Sequence, residues 1–305
     1  MNRCASVCIW LSIALLSGVL ASCSGTPSDP TQGGAAPDIL TTSTILADVA
    51  RNVAGDRLTV ESLLPAGADP HSYQPTPQDT AKISKSKVLI VNGAGYEHFL
   101  ESLLENADGE RTLIEASAGL RLRSDTENGQ DADPHLWLDP NHVIGYVENI
   151  RDGLAQFDPE GAEIYRSNAE AYIKQLEELD AWINAQIAQI PPGRRLLVTN
   201  HEAFGYFAER YDFTIVGTVI ESFSSDASPS AQQMAALVDQ IKLYEAPAIF
   251  LDASDNPALA QQVAKETGVQ VVTDLHLESL TEGAPAPTYI EMMKYNVTKI
   301  VTALR

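Results

Sequence analysis

Beyond Cys23 the chain has no cysteine; Cys4 and Cys8, the other two of its three, lie in the first few residues. No disulfide framework and no thiolate metal site can therefore form downstream of residue 23. Positive charge is scarce too: 20 Lys and Arg stand against 41 Asp and Glu, a formal net charge of −21. Nucleic acid and anionic lipid headgroups are poor partners for such a chain, and most of the acids belong to a solvated surface. The longest apolar run, about Val7 to Leu20, is too short and too soon followed by polar sequence to span a membrane. No GxSxG elbow is present. "HEAFG" (201–205) begins like a zinc-protease helix, but Gly205 stands where the second histidine is needed, and "NGAG" (92–95) lacks dinucleotide spacing. No solenoid repeat appears.

The opening "MNRCASVCIWLSIALLSGVLASC" reads as a signal peptide (1–22), with Arg3 before the apolar run. It ends "LASC", where an ordinary secretory site needs no cysteine. The stretch resembles the lipobox of bacterial lipoproteins, which implies that Cys23 is lipidated and becomes the first residue of the mature chain. "SGTPSDPTQGGAAPD" (24–38) cannot bury apolar surface, so residues 23–37 are expected to be a lipidated cysteine and a flexible tether. Without Arg3 the balance is 19 basic against 41 acidic residues, a net charge of −22. Membrane attachment should come from lipid chains, not from a basic patch.

The remaining chain is long enough for two ordinary domains with their own cores. β-like runs at 39–45, 58–64, 87–93 and 111–116 alternate with helical stretches near 46–54, 77–85 and 96–106. Asp158-Pro159 is a helix start, and Tyr165, Ala169, Tyr172, Leu176, Leu179, Ile183, Ile187 and Ile190 continue at spacings of three and four until "PPG" (191–193). The pattern predicts one helix of about 30 residues, ~46 Å long, suited to spanning two lobes. Alternation resumes with strands at 194–200, 213–220, 247–253 and 269–275, and helices near 203–211, 229–245, 257–267 and 288–304. The expected class is α/β: two lobes (38–157 and 193–305), each a mainly parallel sheet flanked by helices, joined by one long rigid helix (158–192).

Six histidines can be placed on this map. His71, His135 and His201 each follow a predicted strand, and Asp274 ends one; two of the four fall in each lobe. Ligands of open parallel sheets bind just past the carboxyl ends of strands. The spacings of 64, 66 and 73 residues form no local motif, so the four could meet only in a cleft between lobes. Three imidazoles and one carboxylate are a complete shell for a divalent metal. His71 and His135 share a frame, "ADPH", at 68–71 and 132–135. His98, on an expected helix face, His142, beginning a helix, and His276, on the surface, are discounted. Four protein ligands would leave no open position for a catalytic zinc.

"DPHSYQPTPQD", "PHLWLDP", "VTNHEAFGYFAERY" and "PTYIEMMKYNVTKI" resemble, in order over about residues 38–305, the metal-binding solute-binding lipoproteins of bacterial zinc and manganese ABC importers, cluster A-I type. The resemblance implies His71, His135, His201 and Asp274 as metal ligands, and two α/β lobes joined by a rigid helix. It implies a monomeric, lipid-anchored, non-enzymatic receptor on the extracytoplasmic face, whose partners are a membrane permease and its ATPase. Zn²⁺ is the expected ion and Mn²⁺ the alternative; a surface adhesin with a structural metal site is a further alternative. The stretch "RLRSDTENGQDAD" (121–133) has no histidine, so the extra His-rich metal-collecting loop of many zinc carriers is missing.

Overall fold

Both halves of the chain build a four-stranded sheet with the same strand order. The computed structural model describes residues 37–124 and 132–305; the signal segment, Cys23, nearly all of the tether and part of the acidic stretch 121–133 lie outside them. The first sheet has β1 (Ile39–Thr41), β2 (Val60–Ser62), β3 (Val88–Val91) and β4 (Thr112–Glu115) in the order β2-β1-β3-β4. The second has β5 (Leu196–Thr199), β6 (Thr214–Thr218), β7 (Ala248–Asp252) and β8 (Gln270–Leu275) in the order β6-β5-β7-β8. The pairings are parallel. Each order reverses direction after its first strand, which opens a crevice at the strands' carboxyl ends.

The inner strands β1, β3, β5 and β7 are covered on both faces and read as apolar runs, whereas the edge strands β2, β4, β6 and β8 keep exposed or half-buried positions. In β3, Val88 and Ile90 enter one core while Leu89 and Val91 enter another. In β7, Ala248 and Phe250 face the first core, and Ile249 and Leu251 a third. The eight strands lie where the sequence places them, but are shorter.

Nine helices are described: α1 (Thr44–Ala54), α2 (Pro77–Lys85), α3 (Leu100–Asn106), α4 (Pro140–Phe157), α5 (Ala162–Ile187), α6 (Gly205–Tyr211), α7 (Ala231–Tyr244), α8 (Ala258–Thr267) and α9 (Tyr289–Leu304). Their starts carry expected signals. Ser43 Oγ accepts the Leu46 N–H, and Thr76 with Asp79 forms a capping box before Pro77. The joining helix α5 has 26 residues, not about 30. Its expected first turn, Pro159–Gly161, is a 3-10 turn, and its end is set by Pro191, since the residue before a proline avoids helical backbone. All the periodic positions expected to be apolar, Tyr165 to Ile190, are buried. α4 was expected only as a start near His142; Asp139 caps it with Pro140 behind, and Val143, Tyr146, Val147, Ile150 and Leu154 bury its inner face. Helices α1, α4, α5 and α9 share one core with the inner faces of both sheets.

One expected helix begins late. Residues 96–99 precede α3, so His98 lies in a turn and not on a helix face. Gly93, Ala94 and Gly95 all have positive φ (81°, 53° and 78°), a backbone no helix continues. The Glu97 carboxylate fixes this turn by accepting the Thr42 hydroxyl and the Asn92 and Gly93 N–H groups. Burial pushes that carboxyl up to about 7.

Candidate metal centre

Two of the loops at the crevice contain the same turn. In each "ADPH", the aspartate accepts the backbone N–H of the histidine two residues on: Asp69 Oδ1 from His71 at 2.9 Å, Asp133 Oδ1 from His135 at 3.0 Å. These are Asx turns, with the intervening proline fixing φ. His71 follows β2 at a short distance, and His135 opens the turn before α4. His201 comes two residues after β5, its carbonyl accepting the Thr199 hydroxyl at 2.9 Å.

The three imidazoles converge with ring centroids 5.2–5.6 Å apart. Their Nε2 atoms surround one carboxylate oxygen. It belongs to Glu278, not to Asp274. Glu278 Oε1 lies 3.3 Å from His135 Nε2, 3.3 Å from His201 Nε2 and 3.9 Å from His71 Nε2. His135 and His201 Nε2 are 3.4 Å apart. One donor atom from each of the four lies within 4.8 Å of all the others. All four side chains are at most 2% exposed. His71 Nε2 and Glu278 Oε1 are buried without a hydrogen-bond partner. Burying such atoms costs free energy unless something pairs with them, and a cation would pair with both.

The expectation for Asp274 is thereby corrected. It still belongs to β8, where a register irregularity against β7 places Leu275 on the same core as Val272 and leaves the intervening Asp274 facing away from it. Its carboxylate accepts Lys299 Nζ at 2.5 Å and the Tyr295 hydroxyl at 2.8 Å, and is 47% exposed. The chain runs three residues past β8 before Glu278 reaches the crevice. On the way, the Leu277 N–H bonds Asp252 Oδ2 and the Leu277 carbonyl accepts Trp137 Nε1 at 2.7 Å. A sequence signal existed: in "LHLESL" the glutamate sits among Leu275, Leu277 and Leu280, all buried, and an acid in an apolar run needs a partner. His98 is exposed, His142 lies in the first turn of α4, and His276 is half-buried against Tyr295.

The electrostatics of the cluster follow from burial and proximity. Burial alone would lower His135, but Glu278 and Asp133 outweigh it and push it up to about 9. Asp133 Oδ1 also meets His135 Nδ1 at 2.9 Å, which aims Nε2 at the cluster. Burial would raise the Glu278 carboxyl, yet the imidazoles, His135 foremost, hold it well below the carboxylate range. His201 is lowered, by burial first and then by the other two histidines. Tyr96 donates to the other oxygen, Glu278 Oε2, at 3.3 Å. One oxygen of the carboxylate is thus engaged and one is free for an ion.

The family described as "Zinc-uptake complex component A periplasmic" matches residues 39–303. Among curated relatives, the manganese-binding lipoprotein MntA of Halalkalibacterium halodurans is 36% identical over 98% of both chains. The iron-binding protein YfeA of Yersinia pestis is 33% identical over 95% of this chain and 93% of its own. Among solved structures, the periplasmic zinc-binding protein TroA of Treponema pallidum superposes with a TM-score of 0.82 at 26% identity, covering 88% of this chain and 99% of its own.

Proposed function

Since the chain belongs to the family described as zinc-uptake complex component A periplasmic, we propose that it is the extracytoplasmic metal receptor of an ABC importer. In this reading it holds one divalent ion on His71, His135, His201 and Glu278 and passes it to a permease served by an ATPase. Its work is capture and release. Cys23 would carry the lipid that keeps it at the cell membrane, since no helix among the described residues is long and apolar enough to cross one.

One observation favours zinc. A tetrahedral site with bonds of ~2.05 Å has edges of ~3.3 Å. The separations among His135 Nε2, His201 Nε2 and Glu278 Oε1 are 3.3, 3.3 and 3.4 Å, while His71 Nε2 stands farther off, 3.9 Å from Glu278 Oε1, and would have to close on the ion. Three nitrogens and one oxygen also suit zinc by donor type, whereas manganese favours carboxylate oxygens and more of them. Manganese is the second reading, on account of the manganese-binding relative; it would need a wider shell than Glu278, with Oε2 bonded to Tyr96, offers. The test is elemental analysis of the chain purified without its tether, followed by competition of Zn²⁺ against Mn²⁺ at one pH. A chain that prefers Mn²⁺ overturns the zinc assignment. A chain that unfolds when stripped of metal points instead to a structural site.

A further inference from the structure

The lobes are tied together on most sides of the four-residue cluster. The Leu280 N–H donates to Thr44 Oγ1 and the Gly67 N–H to Ser279 Oγ, both at 2.8 Å. Trp137 Nε1 holds the Leu277 carbonyl at 2.7 Å. The Tyr206 hydroxyl, from α6, donates to the Asp133 carbonyl at 2.9 Å, and Arg123 bonds Glu209 of the same helix at 2.6 Å. Beneath these ties lie the shared core and α9, whose first N–H is capped by Asp48 of α1 at 3.0 Å.

On one side the described residues leave an opening. A cavity of about 330 Å³ is walled by the turn at Ala94 and Gly95, by Ala132 and Pro134, and by Ser222, Phe223 and Ser224. His71 lines it, and none of the other three members of the cluster does. Across this mouth the lobes meet through Ser225 Oγ, which donates to Asp69 Oδ2 at 2.7 Å. His98, exposed and used by nothing in the cluster, stands on its wall.

We propose that this cavity is the portal through which the divalent ion reaches and leaves the centre, with His98 as the first imidazole to meet it and His71 as the second. The inference rests on the receptor reading above. The ion exchanges a water for His98, moves to His71, and completes its shell on His135, His201 and Glu278. A side chain that binds the ion only in passing lowers the barrier in both directions and leaves the equilibrium constant alone. The turn 93–95 presents Gly95 on this wall: its φ of 78° disfavours any side chain there.

The absence of cysteine after Cys23 supplies the test. In the tetherless chain, Ser224→Cys introduces a single thiol on the portal wall, and Leu243→Cys one on a remote surface, Leu243 being 73% exposed. Each thiol is capped with a bulky group through a disulfide, and Zn²⁺ uptake is followed by tryptophan fluorescence, Trp137 lying 5.3 Å from His135. The cap at 224 should slow uptake by about an order of magnitude. Removing it with a phosphine reductant should restore the rate, which separates plugging from misfolding. The cap at 243 should change nothing. His98→Gln should slow association and dissociation by the same factor at unchanged Kd. A capped Ser224→Cys protein that takes up Zn²⁺ at the uncapped rate overturns the portal while leaving the receptor reading intact. A His98→Gln protein with unchanged rates, or with a changed Kd, removes His98 from it. Failure of the unmodified chain to bind Zn²⁺ or Mn²⁺ would sink both readings.

Discussion

Raising the pH from about 7 to about 9 should tighten metal binding about a hundredfold, because the metal-free cluster holds a proton that the ion must displace. That proton belongs at His135. Its Nδ1 is committed to Asp133 at 2.9 Å, so the added proton sits on Nε2, facing Glu278 Oε1 at 3.3 Å. With this imidazole pushed up to about 9, only about one part in a hundred of it is neutral at pH 7, which lowers the apparent affinity by about that factor. Affinity should therefore rise about tenfold per pH unit and level off near pH 9. Stability of the metal-free protein should move the other way. A histidine raised in the folded state contributes stability that is complete below its unfolded value of 6.5 and is lost as pH climbs through about 9. Glu278, depressed in the fold, contributes above its ordinary 4.5 and loses that contribution only in acid. The assay is competition against a chelator of known proton affinity across this range, with calorimetry in two buffers of different ionisation enthalpy to count protons. About one proton should be released at pH 7 and almost none well above pH 9. A flat Kd with no proton release would refute the pairing of His135 with Glu278 in the metal-free state.

Glu278→Ala should weaken metal binding by at least about a hundredfold, since it removes the one carboxylate facing three imidazoles. Asp274→Ala should change Kd by less than about threefold and cost no more than the ~0–1 kcal/mol of an exposed ion pair; calorimetric titration that ranks the two the other way would reinstate Asp274. Cys23→Ser should move the protein from the membrane fraction to the soluble one, because lipid chains are its proposed anchor. Continued fractionation with membranes would remove the lipobox reading.

The fold was legible where burial is one-dimensional. A strand covered on both faces must be apolar at every position, and "KVLIV" or "PAIFLD" leaves little else to infer. The stripe from Tyr165 to Ile190 is a helix face for the same reason. Strand order was not legible, because it is set by which neighbour each strand finds across the crossovers. Three members of the cluster were legible from histidines placed beyond predicted strands, although only His201 follows its strand directly; His71 comes nine residues after β2 and His135 twenty after β4. The fourth was missed by one turn of chain. Sequence marks where β8 ends, but not how far the loop must run, and that distance is fixed by tertiary bonds to Asp252 and Trp137.

The repeated "ADPH" shows what a short sequence frame can and cannot specify. In both copies the aspartate closes the same Asx turn, so the backbone that presents the histidine is local and repeatable. The second use of each carboxylate differs. Asp133, 1% exposed, turns the same oxygen to the ring of its own histidine and holds Nδ1. Asp69 is half-buried, and its other oxygen accepts Ser72 Oγ at 2.9 Å and, from across the mouth, Ser225 Oγ at 2.7 Å. One copy therefore raises the basicity of His135, and the other fastens the two walls of the proposed portal. Four identical residues determine the turn, while the surroundings they fold into determine the chemistry.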